Sequence, residues 1–362
     1  MKQVINRKGT VSIREVPAPQ CGPGDVQIAL THSLISSGTE THTLRVTGQN
    51  LASRAKERPD LVKKVVDRAK SQGIRAAYEA VKDKVNEPKA MGYSATGVVT
   101  EVGAQVTGFA PGDRVACGGS TASHGEVVSV PSNLVVHVPA NVDPPDASFT
   151  VLGSIAMQGI RRAKPEFGDV FVILGLGLVG QLCVQFAKIA GVRVIGFDLE
   201  PDRVALAKEL GADEAWNLSD VDAIERVSNI THGVGADAVV VTAATQSSEP
   251  INTAVEMARE RGRISIVGII GLDMQHTPFY MKELDVYMSR SYGPGRYDPV
   301  YEERGIDYPI SYVRWTENRN MAEVLRLMDA GTLRVKPLTS SVFTIDEAER
   351  RMHRSRATGQ SP

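Results

Sequence analysis

The residues best placed to do chemistry are Gly175-Leu176-Gly177-Leu178-Val179-Gly180, a G-x-G-x-x-G run that follows the apolar segment 171–174 and opens a helical pattern. Alone such a run is weak evidence, but a strand before it and a helix after it make it specific. The first glycine permits a tight turn, the second lets the backbone approach a pyrophosphate, and the third allows close helix packing. Unpaired amides at the helix start, here those of Leu178 and Val179, bind phosphate oxygens. Asp198 stands eighteen residues after Gly180, at the end of the next apolar segment. A carboxylate there accepts the ribose hydroxyls of an adenosine and repels a 2′-phosphate, so the expected cofactor is NAD rather than NADP. Arg203 follows where it can stack on the adenine. Thr242, Gly268 and Ile269, just beyond the next two apolar segments, complete the expected cofactor set.

These residues need a scaffold. Segments 171–174, 192–196, 238–241 and 264–267 are short and mostly β-branched, and stretches 179–190 and 203–210 between them have helical periodicity. That alternation predicts βαβ units around a parallel sheet. Residues 322–328 read as a late helix and 342–344 as a last strand before a charged C-terminal helix. Up to about residue 150 the text differs: short strands at 26–30, 97–102, 114–117 and 134–138, punctuated by Gly, Pro and Asn, predict a small irregular β-barrel. Within it, residues 51–87 place Leu61, Val65 and Ala69, then Ile74, Tyr78 and Val81, at helical spacing, and interleaved charges mark a solvated helical insert. The expected fold class is α/β: a barrel domain at 1–150 with that insert, a doubly wound parallel-sheet domain at 151–290, and a C-terminal segment at 291–362.

Composition narrows the function classes. At 362 residues the chain has room for about two domains, and with 42% hydrophobic and 23% charged residues it is ordinary globular sequence. Forty-one Lys plus Arg against forty-two Asp plus Glu leave a formal charge of -1, which offers no field for steering onto nucleic acid or an anionic membrane. Small molecules are the expected partners. Cys21, Cys117 and Cys183 are too few and too scattered for a disulfide framework, which points to a reducing, cytoplasmic setting. No stretch approaches the ~18 apolar residues of a membrane span.

Four further motifs carry a resemblance: Gly97-Val98-Val99-Thr100-Glu101-Val102-Gly103, Pro111-Gly112-Asp113-Arg114-Val115, Gly211-Ala212-Asp213 and Gly262-Arg263-Ile264. In that order and spacing, with the glycine run, the chain resembles the medium-chain dehydrogenase/reductase superfamily of zinc alcohol dehydrogenase-like proteins. The resemblance implies a GroES-like barrel, a Rossmann domain, a C-terminal segment returning to the barrel, catalysis in the cleft between them, and a homodimer. It also exposes departures. Where the family reads Cys-Gly-Thr-Asp this chain reads Ser37-Gly38-Thr39-Glu40, where it reads Gly-His-Glu this chain reads Gly92-Tyr93-Ser94, and the third zinc-ligand position aligns with Ser154. Hydroxyls are poor zinc ligands, so no metal is expected. The four-cysteine lobe that holds structural zinc in the family is missing too.

Without zinc, an alcohol oxidation still needs a group to take the hydroxyl proton. Tyr93, at a ligand position, is the first candidate, because a phenol can donate to a developing alkoxide or accept its proton beside a cation. Thr39 matches the family's relaying hydroxyl, and with Ser37 and His42 it forms the second candidate, a Ser-Thr-His relay. Glu40 is a further possible base. Downstream, Arg290, Arg296 and Arg314 lie among Tyr292, Tyr297 and Trp315, a composition suited to clamping an acidic or polyhydroxylated substrate. Arg290, Tyr292 and Arg296 are the expected substrate-binding residues. This stretch resembles the first module of bi-domain oxidoreductases, and bacteriochlorophyllide hydroxyethyl dehydrogenases are similar as well. The expected function is a zinc-independent, NAD-dependent oxidoreductase interconverting a secondary alcohol and a ketone on a sugar, cyclitol or similar polar metabolite. Quinone or enoyl double-bond reduction, hydroxyethyl dehydrogenation of a large pigment-like substrate, and a non-catalytic NAD-binding sensor or partner subunit stay open.

Overall fold

The computed structural model describes residues 1–48, 59–73, 75–77, 81–82 and 86–352. The N-terminal strands are β1 (Lys2–Arg7), β2 (Thr10–Glu15), β3 (Asp25–Ser33), β4 (Lys89–Ala90), β5 (Ser94–Val102), β6 (Arg114–Gly118), β7 (Val127–Pro131) and β8 (Val135–His137). They pair antiparallel in two sheets, ordered β2-β1-β4 and β7-β3-β5-β6-β8. The longest strands, β3 and β5, are central neighbours, and their register sets Ser33 opposite Ala95. Val26, Ile28, Val99, Val115, Val128 and Val130 fill the core of this domain.

Helix α1 (Ser37–Gly48) leaves the end of β3 almost at once, and α2 (Pro59–Gln72) occupies the expected insert. Val65 and Ala69 are half buried on α2, whereas Val62 and Val66 are exposed. Ile74 and Tyr78 lie outside the described residues.

After a short turn of helix α3 (Pro144–Ala147), helix α4 (Thr150–Ala163) begins at the boundary expected at 150. Its Leu152, Ala156, Met157 and Ile160 join one core, while Val151 and Ile155 join the barrel core. Strands β9 (Val170–Leu174), β10 (Arg193–Asp198), β11 (Glu214–Asn217), β12 (Ala236–Val241), β13 (Ala258–Ile266) and β14 (Asp285–Met288) form a parallel sheet ordered β11-β10-β9-β12-β13-β14. Phe171 and Ile173 of β9 face one core and Val172 and Leu174 the other, as the two-residue period of a strand requires. A strand covered on both faces needs an apolar residue at every position, which is why β9 reads as a continuous apolar run. Helices α5 (Leu178–Ile189) and α6 (Pro201–Glu209) cover the first face with α4, and α7 (Ala223–Ile230) and α8 (Glu249–Met257) the second. The order reverses between β9 and β12, so the crevice beyond their carboxyl ends is the expected ligand position.

The chain then passes α9 (His276–Met281) and α10 (Pro299–Glu302) to α11 (Glu317–Asp329). Val324 and Leu327 of α11 pack into the sheet-domain core, Met321 and Leu325 into the barrel core, so α4 and α11 together bind the two domains. Residues 342–344 are not a strand. Thr344 instead caps the following turn, its N–H donating to Glu347 Oε2 at 3.1 Å, and Val342 is 68% exposed.

Candidate active site

The glycine-rich turn has the geometry that its chemistry demands. Gly175 adopts φ +96°, closed to most side chains, and a Cβ there would stand 2.9 Å from the Ala243 nitrogen. At Gly177 a Cβ would meet nothing within 4 Å, so the backbone borders open space at the first turn of α5. At Gly180 a Cβ would come 2.0 Å from the Gly175 carbonyl oxygen, so glycine alone lets α5 close onto the strand end. The Thr242 hydroxyl donates to the Gly175 carbonyl at 2.5 Å and pins the turn to the end of β12. Gly268 donates its N–H to Val241, and Ile269, 53% exposed, bridges to Ala244 beside it. Asp198 is buried at the end of β10. Its Oδ2 accepts from the Leu176 N–H at 2.6 Å, its Oδ1 from the Glu200 N–H at 2.9 Å, and Arg203 approaches Oδ1 at 3.4 Å. The acid thus ties the turn to β10, and a carboxylate, with about four acceptor directions, retains capacity for ribose hydroxyls.

A cavity of about 810 Å³ begins at this turn. Gly177, Leu178 and Arg203 form one end; His32, Ser33 and His124, from β3 and the loop before β7, form the other; and residues 337–345 of the C-terminal segment form a wall. At the barrel end lies a chain of three side chains. The Ser33 hydroxyl is 2.8 Å from His124 Nδ1, and His124 Nε2 is 3.2 Å from both oxygens of Glu40. His124 and Glu40 are only 4% and 5% exposed, and the Ser36 N–H also donates to Glu40 Oε1 at 3.2 Å. A carboxylate only accepts, so Nε2 carries the ring proton, and in the neutral ring Nδ1 accepts from the Ser33 hydroxyl. Backbone bonds hold the histidine in place: its N–H donates to Met91 and its carbonyl accepts from Val4. Gly92 makes the space, since at φ +94° a Cβ there would lie 2.7 Å from His124 Nδ1. Sequence reasoning named Glu40 but missed His124 and Ser33, whose only signal is a histidine between Ser123 and Gly125 in a turn.

The other expected residues fall elsewhere. Tyr93 is half buried, packs against both the barrel core and the sheet-domain core, and is not on the cavity wall. Ser37, Thr39 and His42 lie on α1 with Glu40, but their side chains are outside the described residues. Ser154 is fully buried and its hydroxyl donates to the Thr150 carbonyl at 2.8 Å, a bond within its own helix. The expected arginine–tyrosine clamp of Arg290, Tyr292 and Arg296 does not reach the cavity and is closed upon itself. Tyr292 is 2% exposed in the barrel core, Arg296 pairs with Glu302 at 2.5 Å, and both Arg290 and Arg296 lie over the Tyr297 ring. The apolar body of Tyr292 and the carboxylate partner of Arg296 draw those two side chains inward, whereas Arg290 and Tyr297 are exposed away from the cavity lining.

Known proteins match both parts of this arrangement. Residues 68–140 match the alcohol dehydrogenase GroES-like domain, and residues 179–303 match the zinc-binding dehydrogenase family model. The chain belongs to the medium-chain dehydrogenase/reductase superfamily. Sorbitol dehydrogenase of Halalkalibacterium halodurans is 29% identical over 249 residues, 60% of this chain and 72% of that protein. The probable D-xylulose reductase A of Arthroderma otae is 25% identical over 73% of this chain and 77% of its own length. Galactitol-1-phosphate dehydrogenase from Escherichia coli shares the fold with a TM-score of 0.77 at 19% identity, covering 100% of this chain and 98% of that one. As a superfamily member the chain is an oxidoreductase, and superfamily dehydrogenases bind NAD or NADP. Ser154, expected from the sequence to stand at a zinc-ligand position, turns its hydroxyl to its own helix.

Proposed function

We propose that the protein interconverts a secondary alcohol and a ketone on a polyhydroxylated metabolite, prefers NAD to NADP, and works without zinc. The observation that carries this reading is the continuous cavity between the glycine-rich turn and the Ser33–His124 floor. Gly177 and the α5 amides hold the pyrophosphate, and Asp198 receives the adenosine ribose. The nicotinamide ring accepts hydride from the carbinol carbon when bound. Thr31, Glu126, Ser340 and Ser341 face the same cavity as Phe149 and Phe343, a mixture that seats a hydroxylated carbon chain. The named relatives that act on sorbitol and D-xylulose support a substrate of that class.

The test is oxidation of a panel of polyols, sugars and cyclitols by purified protein, with NAD and NADP compared, elemental analysis on the same sample, and a chelator control. Turnover of a polyol with NAD, no stoichiometric zinc and no loss on chelation is the expected result. Activity lost to the chelator and restored by zinc would overturn the metal-free reading. Turnover confined to quinones or enoyl compounds would overturn the alcohol reading.

A further inference from the structure

The structure assigns the proton-transfer role to Ser33, His124 and Glu40, in place of the tyrosine and the α1 hydroxyls that the sequence suggests. This inference rests on the alcohol–ketone reading. Ser33 stands on the cavity wall at the end of β3, where a substrate hydroxyl can reach it; His124 borders the cavity beside it, almost fully buried, and Glu40 lies behind the ring. The three contacts have one direction: hydroxyl to Nδ1, Nε2 to carboxylate. As the carbinol C–H pair leaves toward the oxidised cofactor and the C=O bond forms, the substrate O–H proton passes to Ser33 Oγ, and the Ser33 proton passes to His124 Nδ1. The resulting imidazolium faces the Glu40 carboxylate, which stabilises it. In the reverse direction the same proton returns through Ser33 to the developing alkoxide. The oxidised nicotinamide cofactor is the oxidant, and the imidazolium releases its proton to solvent before the next turnover, so the step balances.

A purely structural role explains less. Glu40 already accepts from the Ser36 N–H, and a pin between β3 and α1 needs neither a serine on the cavity nor a glycine that leaves room for the ring. Ser33 is the member whose loss disturbs the fold least, because the buried His124–Glu40 pair survives in Ser33→Ala.

Two measurements test the assignment. Nitrogen-15 NMR of histidine-labelled protein without cofactor is expected to show His124 as the Nε2–H tautomer, with its Nδ1 resonance displaced in Ser33→Ala. An Nδ1–H tautomer overturns the relay, since the ring then cannot receive the serine proton. In Ser33→Ala, kcat is expected to fall about 100-fold, the lower end of general acid–base contributions. NADH affinity should stay within twofold and the pH dependence of kcat should flatten. A drop in melting temperature with kcat and its pH profile unchanged makes the triad structural and overturns the proposal. If the parent protein oxidises no alcohol on the panel, the functional reading fails and the relay with it. If the parent turns over and Ser33→Ala matches it, the relay alone fails.

Discussion

Two of the regions that bury a carboxylate do so with opposite outcomes. On the cavity floor, Glu40 is 5% exposed and meets His124 and the Ser36 N–H. In the lobe around Tyr292, Glu317 is fully buried at the start of α11, and neither of its oxygens has a hydrogen-bond partner. Burial there, with Glu302 adding repulsion against the opposing pull of Arg296 and Arg290, pushes the Glu317 carboxyl up to about 8. The neighbouring Tyr292 hydroxyl is also buried without a partner, and burial raises it well above the ordinary phenol range. A buried acid that is partnered and reaches open space through a serine suits chemistry, whereas one enclosed without partners is a stability liability. Residue type and burial alone do not separate the two.

The largest expected effect belongs to the lobe. Because the folded-state value of about 8 lies above the ordinary 4.5, the folded protein holds the Glu317 proton more tightly than the unfolded chain does. Stability is therefore fullest below about pH 4.5 and is lost as pH rises to about 8, by on the order of 5 kcal/mol at 1.36 kcal/mol per pKa unit. Glu317→Gln removes that slope and leaves turnover unchanged. Denaturant midpoints of both proteins at pH 5 and pH 9 check this, and parallel pH trends would erase the contrast between the regions.

The next effect belongs to the cavity floor. Gly92→Ala puts a methyl group 2.7 Å from the imidazole and forces an alanine to φ +94°, so His124 must leave Ser33. A displacement near 1 Å costs about 100-fold in kcat, with NADH affinity retained. Wild-type kcat in this variant, measured by stopped-flow NADH formation, would show that the ring position does not matter.

The smallest effect sharpens the opposite end of the cavity. Asp198→Asn removes the charge that disfavours a 2′-phosphate beside Arg203 and is expected to move the NAD:NADP preference about tenfold toward NADP, worth about 1.4 kcal/mol. Equal preference before and after the substitution, by fluorescence titration, removes Asp198 from the ribose site.

Legibility followed the range of the interactions. Strands β9, β10, β12 and β13 and helix α5 were readable because their apolar patterns are local and cover both faces of one sheet. The expected strand at 342–344 misread a β-branched pair: Thr344 has its hydroxyl and N–H engaged in a helix cap, and among the described residues no strand includes the segment. The clamp of Arg290, Tyr292 and Arg296 misread composition, since Glu302 lies six residues past Arg296 and takes its charge. Helix α4 was hidden because its two apolar faces serve different domains and blur any single period.

The cofactor turn was determined by the sequence itself, because turn, helix start and acid fall within one βαβ unit and each glycine answers a constraint of the backbone beside it. The candidate catalytic chain was decided by tertiary structure. His124 lies 91 residues from Ser33 and 84 from Glu40, and only the pairing of β3 with β5, the loop before β7 and the start of α1 bring the three within hydrogen-bonding distance. A short hydrogen bond between residues so distant leaves no period or spacing in the chain, since the backbone path between them is free to vary while the side chains meet.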